Sequence, residues 1–507
     1  MSRWNTCGGL AIALSGAIGW ASQALAQDPG VKTIEERTVV LTPRAEPIPA
    51  LSIRFWPDEK ELVEGDAMPL YMRAGILWVD LQGPQDSDRK KTFAELIMEG
   101  PVDPNNAEAI AKVKDWLSRL PSDAVIAELK RAALRREVRP YLRVDQLAST
   151  VEAVGLLLPE VQRSRDVARL LDLKIRVAIA DGELDQAIEL IRTGFRMATA
   201  VGSEDLLINK LVGLAIANMM LEDVGLMQSH PDCPNLYWAL ASLPRPLIDL
   251  RPAIQVELGN IARMWDPPVG AVLPQDEQGW NDLMMDTFDL LRGLSGQNTD
   301  GPSAGQRLGF LAAVTMLQGE STKHLRSMGI SEAEIDRMFP SERVVRYLRF
   351  ESRRWTDEHA KWLKLPMTVA LPYLTRLEEM LADPSSTPNS EVRSIQAAPS
   401  WLSQVTLAMF KLLLPSITQA VRAQYRNQQS VDALLAVEAI RTYAHEHAGQ
   451  LPDTLVDLQP LPALPDPATG QPWAYQAGET ATLTLQVAGR PVDSEGAIRK
   501  YLIQVRK

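Results

Sequence analysis

The chain has 507 residues, of which 46% are hydrophobic and 23% charged, the balance of an ordinary globular protein with material for roughly two to four domains. That balance excludes a disordered chain, a collagen-like chain and a polytopic membrane protein. Lys and Arg total 53 against 64 Asp and Glu, a net charge of -11 that disfavours nucleic-acid backbones, and two cysteines exclude a disulfide scaffold or a thiolate metal cluster.

The first residues have the form of a secretory signal peptide, expected over 1–26. Arg3 is the only charge before Asp28, Gly8 to Ala21 is a short apolar run, and Ala24-Leu25-Ala26 is a small-x-small cleavage site. The run is shorter than the ~20 residues that span a bilayer, which favours cleavage after Ala26 over a retained anchor. The expected location is periplasmic or secreted. Cleavage leaves Cys233 as the one cysteine, in a turn-like His230-Pro231-Asp232-Cys233-Pro234 setting, read as a half-buried packing thiol.

Residues 27–100 are expected to form an extended arm followed by the first helices. Thr38–Leu41 and Leu51–Phe55 are candidate short strands or ordered edge segments, and helical patterning starts near Pro69. Residues 101–382 are expected to be a helical-hairpin domain. Ile110, Val113, Leu117 and Leu120 share a helix face that Pro121 ends. Ser122 then caps a helix whose stripe is Val125, Leu129 and Ala133, with its end at Pro140. A third helix is expected from about Asp145 to Leu158, before Pro159, and a fourth from near Ser164 with Val167, Leu171, Ile175 and Ala178. Helices broken at intervals by Pro or Gly predict a mainly α fold of stacked antiparallel hairpins.

Further along, Asp205–Leu226 is an apolar helix with Met219 and Met220 as core filler. Trp265–Trp280 carries three prolines and is read as a connector or a binding loop. Helices resume at Asn281–Leu294 and Ala304–Gln318, and Ser331 caps another with Glu332 and Glu334 in its first turn. Residues 383–399 form the expected linker, and 400–507 a C-terminal helix plus a small β module. Trp401–Leu414, ending at Pro415, reads as a buried helix or a membrane-surface contact. A long helix then reaches Ala448-Gly449. Ala481–Val487 and Tyr501–Val505 alternate as strands, which must lie against the helix or pair with another strand.

Three resemblances add to this reading. Gly182-Glu183-Leu184-Asp185-Gln186-Ala187 resembles the turn and second-helix start of a tetratricopeptide repeat, with Ile175 departing from the small residue expected at the helix crossing. It implies a helical-hairpin module, with a true superhelix left open. Glu438 to Tyr475 resembles the globular part of a type II secretion pseudopilin, through Arg441-Thr442-Tyr443, His447-Ala448-Gly449-Gln450-Leu451-Pro452 and Asp466-Pro467-Ala468-Thr469-Gly470-Gln471-Pro472-Trp473-Ala474-Tyr475. The glycine-phenylalanine-threonine-leucine-x-glutamate processing motif of pilins is missing, so the similarity implies a pilin-like shape without a filament role. More broadly, the chain is similar to secreted proteins of planctomycete-type bacteria that carry no established activity, in pieces spread across most of its length: Phe55-Trp56-Pro57 with Glu64 to Tyr71, Asn235 to Arg251, and the C-terminal module.

Motifs for chemistry are sparse. The histidines are His230, His324, His359, His445 and His447. His445 and His447, two apart on a helix, diverge by about 200°, whereas a zinc helix needs its pair four apart. No phosphate loop or dinucleotide turn is present. Acidic pairs such as Glu378-Glu379 read as solvated helix faces. The one stretch suited to a ligand is Trp265–Trp280, with Asp266, Asp276 and Glu277 between two indoles, although both indoles could simply pack. No catalytic, cofactor-binding or metal-binding residues are assigned and no cofactor is expected. The expected function is that of an exported, non-enzymatic scaffold with a protein partner, no nucleic acid, and peripheral membrane contact at most. The alternatives are a peripheral component of envelope secretion machinery, or a hydrolase with a Trp-lined cleft.

Overall fold

The computed structural model describes residues 34–83, 88–98, 100–140, 150–263, 265–266, 272–294, 314–315, 318–319, 321–382, 401–488 and 497–506. The expected leader at 1–26 and linker at 383–399 lie outside the described residues, as does most of the expected helix Ala304–Gln318. In chain order the elements are β1 (Ile34–Leu41), β2 (Val63–Asp66), α1 (Met68–Gln82), α2 (Asp88–Met98), α3 (Ala107–Ser118), α4 (Asp123–Ala133), β3 (Arg135–Glu137), α5 (Thr150–Ala180), α6 (Leu184–Val201), α7 (Leu207–Gln228), α8 (Tyr237–Ala241), α9 (Arg251–Arg263), α10 (Glu277–Leu294), α11 (Glu332–Arg337), α12 (Pro340–Ala360), α13 (Met367–Ala382), α14 (Trp401–Glu446), β4 (Ala474–Gln476), β5 (Thr480–Gln486) and β6 (Ile498–Val505). The fold is mainly α with a small mixed sheet. The described residues form two compact units, one drawn from 24–143, 156–250 and 421–507, the other from 144–155 and 251–420.

The first unit holds the four-stranded sheet, ordered β1-β6-β5-β4. β4, β5 and β6 form an antiparallel meander, and β1 adds in parallel, from Ile34 opposite Ile498 to Leu41 opposite Val505. The arm thus supplies the strand that the tail needed. Alternation decides the faces: Ala481, Leu483 and Leu485 point inward with Tyr501, Ile503, Val39 and Leu41. Glu35 bridges β1 and β6 through Arg499 at 3.1 Å. Burial works against its charge, yet Arg499 and Arg37 hold the carboxyl below its ordinary value.

The helices of this unit pack as hairpins. Asn106 Oδ1 caps α3 by accepting from Ala109 N at 3.1 Å. Trp78, Phe93 and Trp116 join α1, α2 and α3 with ring centroids 5.0 to 6.4 Å apart. Gly182, at φ +75°, reverses the chain between α5 and α6, where Glu183 N donates to Ala178 O at 2.9 Å. Leu184 and Ala187, in the first turn of α6, are buried. Among the described residues α7 alone is long and apolar enough to cross a bilayer, but 67% of that stretch is buried inside the protein.

Four expectations are corrected. The break at Pro159 is absent, because α5 runs unbroken to Ala180. The break at Pro415 is absent from α14 in the same way. A helix-interior proline costs about 3 kcal/mol, and each of these helices buries several large apolar side chains at about 1.5–3 kcal/mol apiece (Val161, Val167, Leu171 and Ile175 on α5; Ile417, Val421 and Leu435 on α14). The helix predicted to end at Pro140 stops at Ala133, where a tertiary donor intervenes. Arg196 Nε donates to Ala133 O at 2.9 Å and Nη2 to Arg135 O at 2.7 Å, and the freed segment pairs as β3 with β2. Leu51–Phe55 bends instead of forming a strand, with Phe55 buried against Phe195.

In the second unit α12 packs against α9 and α10. Ser331 and Glu334 complete a reciprocal cap at the start of α11, as the sequence predicts.

The crossing of α6 and α7 makes a test. A methyl added at Gly213 would lie 2.6 Å from the backbone oxygen of Ala198, whereas one at Gly194 would meet the flexible side chain of Met220. Alanine gains about 0.5–1 kcal/mol over glycine as a helix former. The clash with rigid backbone exceeds that, so Gly213→Ala should lower the urea midpoint clearly and Gly194→Ala less, because Met220 can swing aside.

Candidate functional site

Within the sheet-bearing unit, α1, α5, α6 and the start of α7 border a small open recess. Its position follows from local chemistry. Asp66 Oδ1 accepts from Met68 N and Arg139 N, both at 3.1 Å, which fixes where α1 begins. Gly75 leaves room for the Arg163 side chain on α5, whose nearest atoms would sit 3.9 Å from an added Cβ. Met68, Tyr71 and Met72 of α1 line one wall, and Met197 and Val201 of α6 another.

The recess is apolar with a polar margin. Glu160 pairs with Arg163 at 2.8 Å, and Ser164 Oγ donates to Glu160 O at 2.9 Å. Glu204 and Asn209, both buried, line it further in, and Asn209 Oδ1 has no hydrogen-bond partner. Next to them Lys210 lies 3.7 Å from Asp205; burial lowers its pKa against the pull of Asp205, Asp249 and Glu204. Burial also pushes the Tyr71 phenol upward against the pull of Arg196.

The outer face of α1 continues this surface. Met72, Ile76 and Val79, spaced four and three apart, are exposed at 37%, 53% and 47%. The other side of the helix buries Ala74 and Trp78, and Met68 and Gly75 are buried at the border of the exposed stripe. α1 is therefore apolar on both sides, and its exposed stripe runs up to the recess through Met72.

The residues singled out in the sequence lie elsewhere. Trp265 is fully buried and donates from Nε1 to Ser352 Oγ at 3.0 Å, and Trp280 is also buried. Asp266 pairs with Arg349 and Arg353, while Asp276 Oδ1 accepts from Gly279 N at 2.8 Å. The described residues thus place both indoles in packing positions. Glu378 and Glu379 lie on α13. His447 stacks on Tyr443 at 3.8 Å, at an exposed helix end shared with His445. His324 packs on Tyr347 and Phe350. No group of three or more His, Cys, Asp or Glu could hold a metal among the described residues. Cys233 is fully buried, beyond the half-burial expected, and burial pushes its thiol up to about 12.

Several resemblance residues instead hold the core. Arg441, wholly buried, donates to Thr42 O at 2.7 Å, Pro234 O at 3.1 Å and Cys233 O at 2.5 Å, and lies 3.5 Å from Glu438. Glu438 accepts from Leu236 N at 3.1 Å, and Asn235 Nδ2 donates to Thr442 Oγ1 at 2.9 Å. Asp466 accepts from Ala468 N at 2.8 Å and from Gln429 at 3.0 Å, which pins the Asp466–Gly470 turn to α14. None of the sequence-based expectations concerns the recess. The spacing of Met68, Met72, Ile76 and Val79 was the signal that could have marked it. No family model, curated protein or solved structure matches the chain.

A second buried polar cluster sits between α5 and α7. Arg176 Nε lies 2.7 Å from Asp172 and 3.1 Å from Asp223, and Nη1 donates to Val102 O at 2.8 Å. Glu222, beside Asp223 on α7, faces Arg37 of β1 at 3.7 Å. Burial, reinforced by Asp172, raises the Asp223 pKa well above 3.8 despite Arg176. The folded state therefore holds this proton more tightly than the unfolded chain. The resulting stability is complete below pH 3.8 and is lost as pH rises through the raised value. Asp223→Asn, which mimics the protonated form, should flatten the fall of the urea midpoint with rising pH; an unchanged slope would assign that fall to other groups.

Proposed function

We propose that this chain is an exported, non-enzymatic helical scaffold that works by protein contact. The observation that carries this reading is α1, which buries one apolar face and leaves Met72, Ile76 and Val79 in water beside an apolar recess. Exposed apolar residues at helical spacing next to a concavity suit a partner helix or an apolar segment. The hairpin of α5 and α6, with its Gly182 turn and small Ala187, supports a tetratricopeptide-like module. Export rests on the leader-like residues 1–26.

A second reading has its own support. α14 leads into the antiparallel β4-β5-β6 meander and is tied to it by Gln429, which donates to Gln486 O and accepts from Ala488 N, both at 3.0 Å. A long helix followed by such a meander is the arrangement a pseudopilin-like module requires, and it favours a peripheral role in envelope secretion machinery.

The contact reading is tested by Ile76→Asp and Val79→Asp. Both positions are exposed, so stability should change by only about 0.5 kcal/mol. Chemical crosslinking in envelope fractions of the native host should capture a partner with the wild-type chain and lose it with the variants. Equal capture by all three would contradict a contact role for α1.

A further inference from the structure

We propose that the recess is a thioether site for a soft monovalent cation, Cu(I) or its analogue Ag(I), held by Met68, Met72 and Met197. Met68 and Met72 are four residues apart on α1, so their side chains rise from one helix face. Met197 comes from α6, and all three line the same open recess. The chain has 17 methionines, and Met220, fully buried against Gly194, shows the usual use as filler in a closed helix crossing. Three methionines lining one opening to solvent are a different arrangement, because Met72 is exposed while Met68 and Met197 are buried.

The donor type selects the ion. Thioether sulfur is neutral, soft and polarizable. It binds Cu(I) well but competes poorly for Mg, Ca, Zn or ferric iron, which prefer oxygen or imidazole donors. A monocation entering a low-dielectric recess also needs negative charge nearby. Arg163 pairs with Glu160 at 2.8 Å and Lys210 faces Asp205, and the buried carboxylate of Glu204 in the lining offsets the Arg196 guanidinium beside Tyr71. Tyr71, Val161 and Val167 supply the apolar part of the surround. The site does not depend on whether the outer face of α1 docks a partner.

The test is an anaerobic titration of the full chain with Cu(I) against a chromophoric Cu(I) chelator, paralleled by calorimetry with Ag(I). The wild type should bind one equivalent. Met68→Leu, Met72→Leu and Met197→Leu, near-isosteric changes, should each weaken binding at least tenfold, and Met220→Leu should leave it unchanged. Methyl NMR of the wild-type chain with labelled methionine needs no variant: Ag(I) should shift the three recess methyl signals and leave that of Met220 in place. Failure to bind one equivalent, leucine variants that bind like the wild type, or shifts confined to other methionines would overturn the site.

Discussion

A single guanidinium joins three distant stretches of the sheet-bearing unit. Arg441 reaches Thr42 in the arm and Cys233 and Pro234 in the middle of the sequence, all from within α14. Glu438, one turn earlier, neutralises it and accepts from Leu236 N. A buried charge of this kind is tolerated only when its donors are satisfied, and removing one partner of a buried pair costs about 3–5 kcal/mol. Every acceptor but Glu438 is a backbone carbonyl, so the arrangement fixes chain path as well as side-chain packing. The parallel pairing of β1 with β6 begins next to Thr42 and relies on the arm being held there.

This explains what the sequence could and could not convey. Helix stripes such as Val125, Leu129 and Ala133 were legible because they repeat at the helical period and are buried as expected. The alternation of β5 and β6 was legible for the same reason. The helix breaks were misread because Pro159 and Pro415 act locally, while the burial that overrides them is tertiary. The early end of α4 could not be read at all, since the donor that takes its last carbonyls, Arg196, lies 63 residues away.

The candidate site was less legible than the fold. At Trp265–Trp280 the sequence is compatible with a ligand stretch or with packed indoles, and the indoles are packed inward. The residues brought together instead are methionines, which in a linear sequence look like filler. Only the geometry separates Met220, sealed in a helix crossing, from Met68, Met72 and Met197 around an opening. The Arg441–Thr442 and Asp466–Gly470 segments that carry the pseudopilin resemblance have architectural roles here, as a core tie and a pinned turn.

The most direct test of this account is native-state hydrogen exchange on Arg441→Met, which keeps the volume and removes the donors. The account predicts a loss of about 3–5 kcal/mol, with protection falling together in β1, residues 233–236 and the adjoining turn of α14. Wild-type stability, or a loss confined to α14 with β1 fully protected, would contradict it.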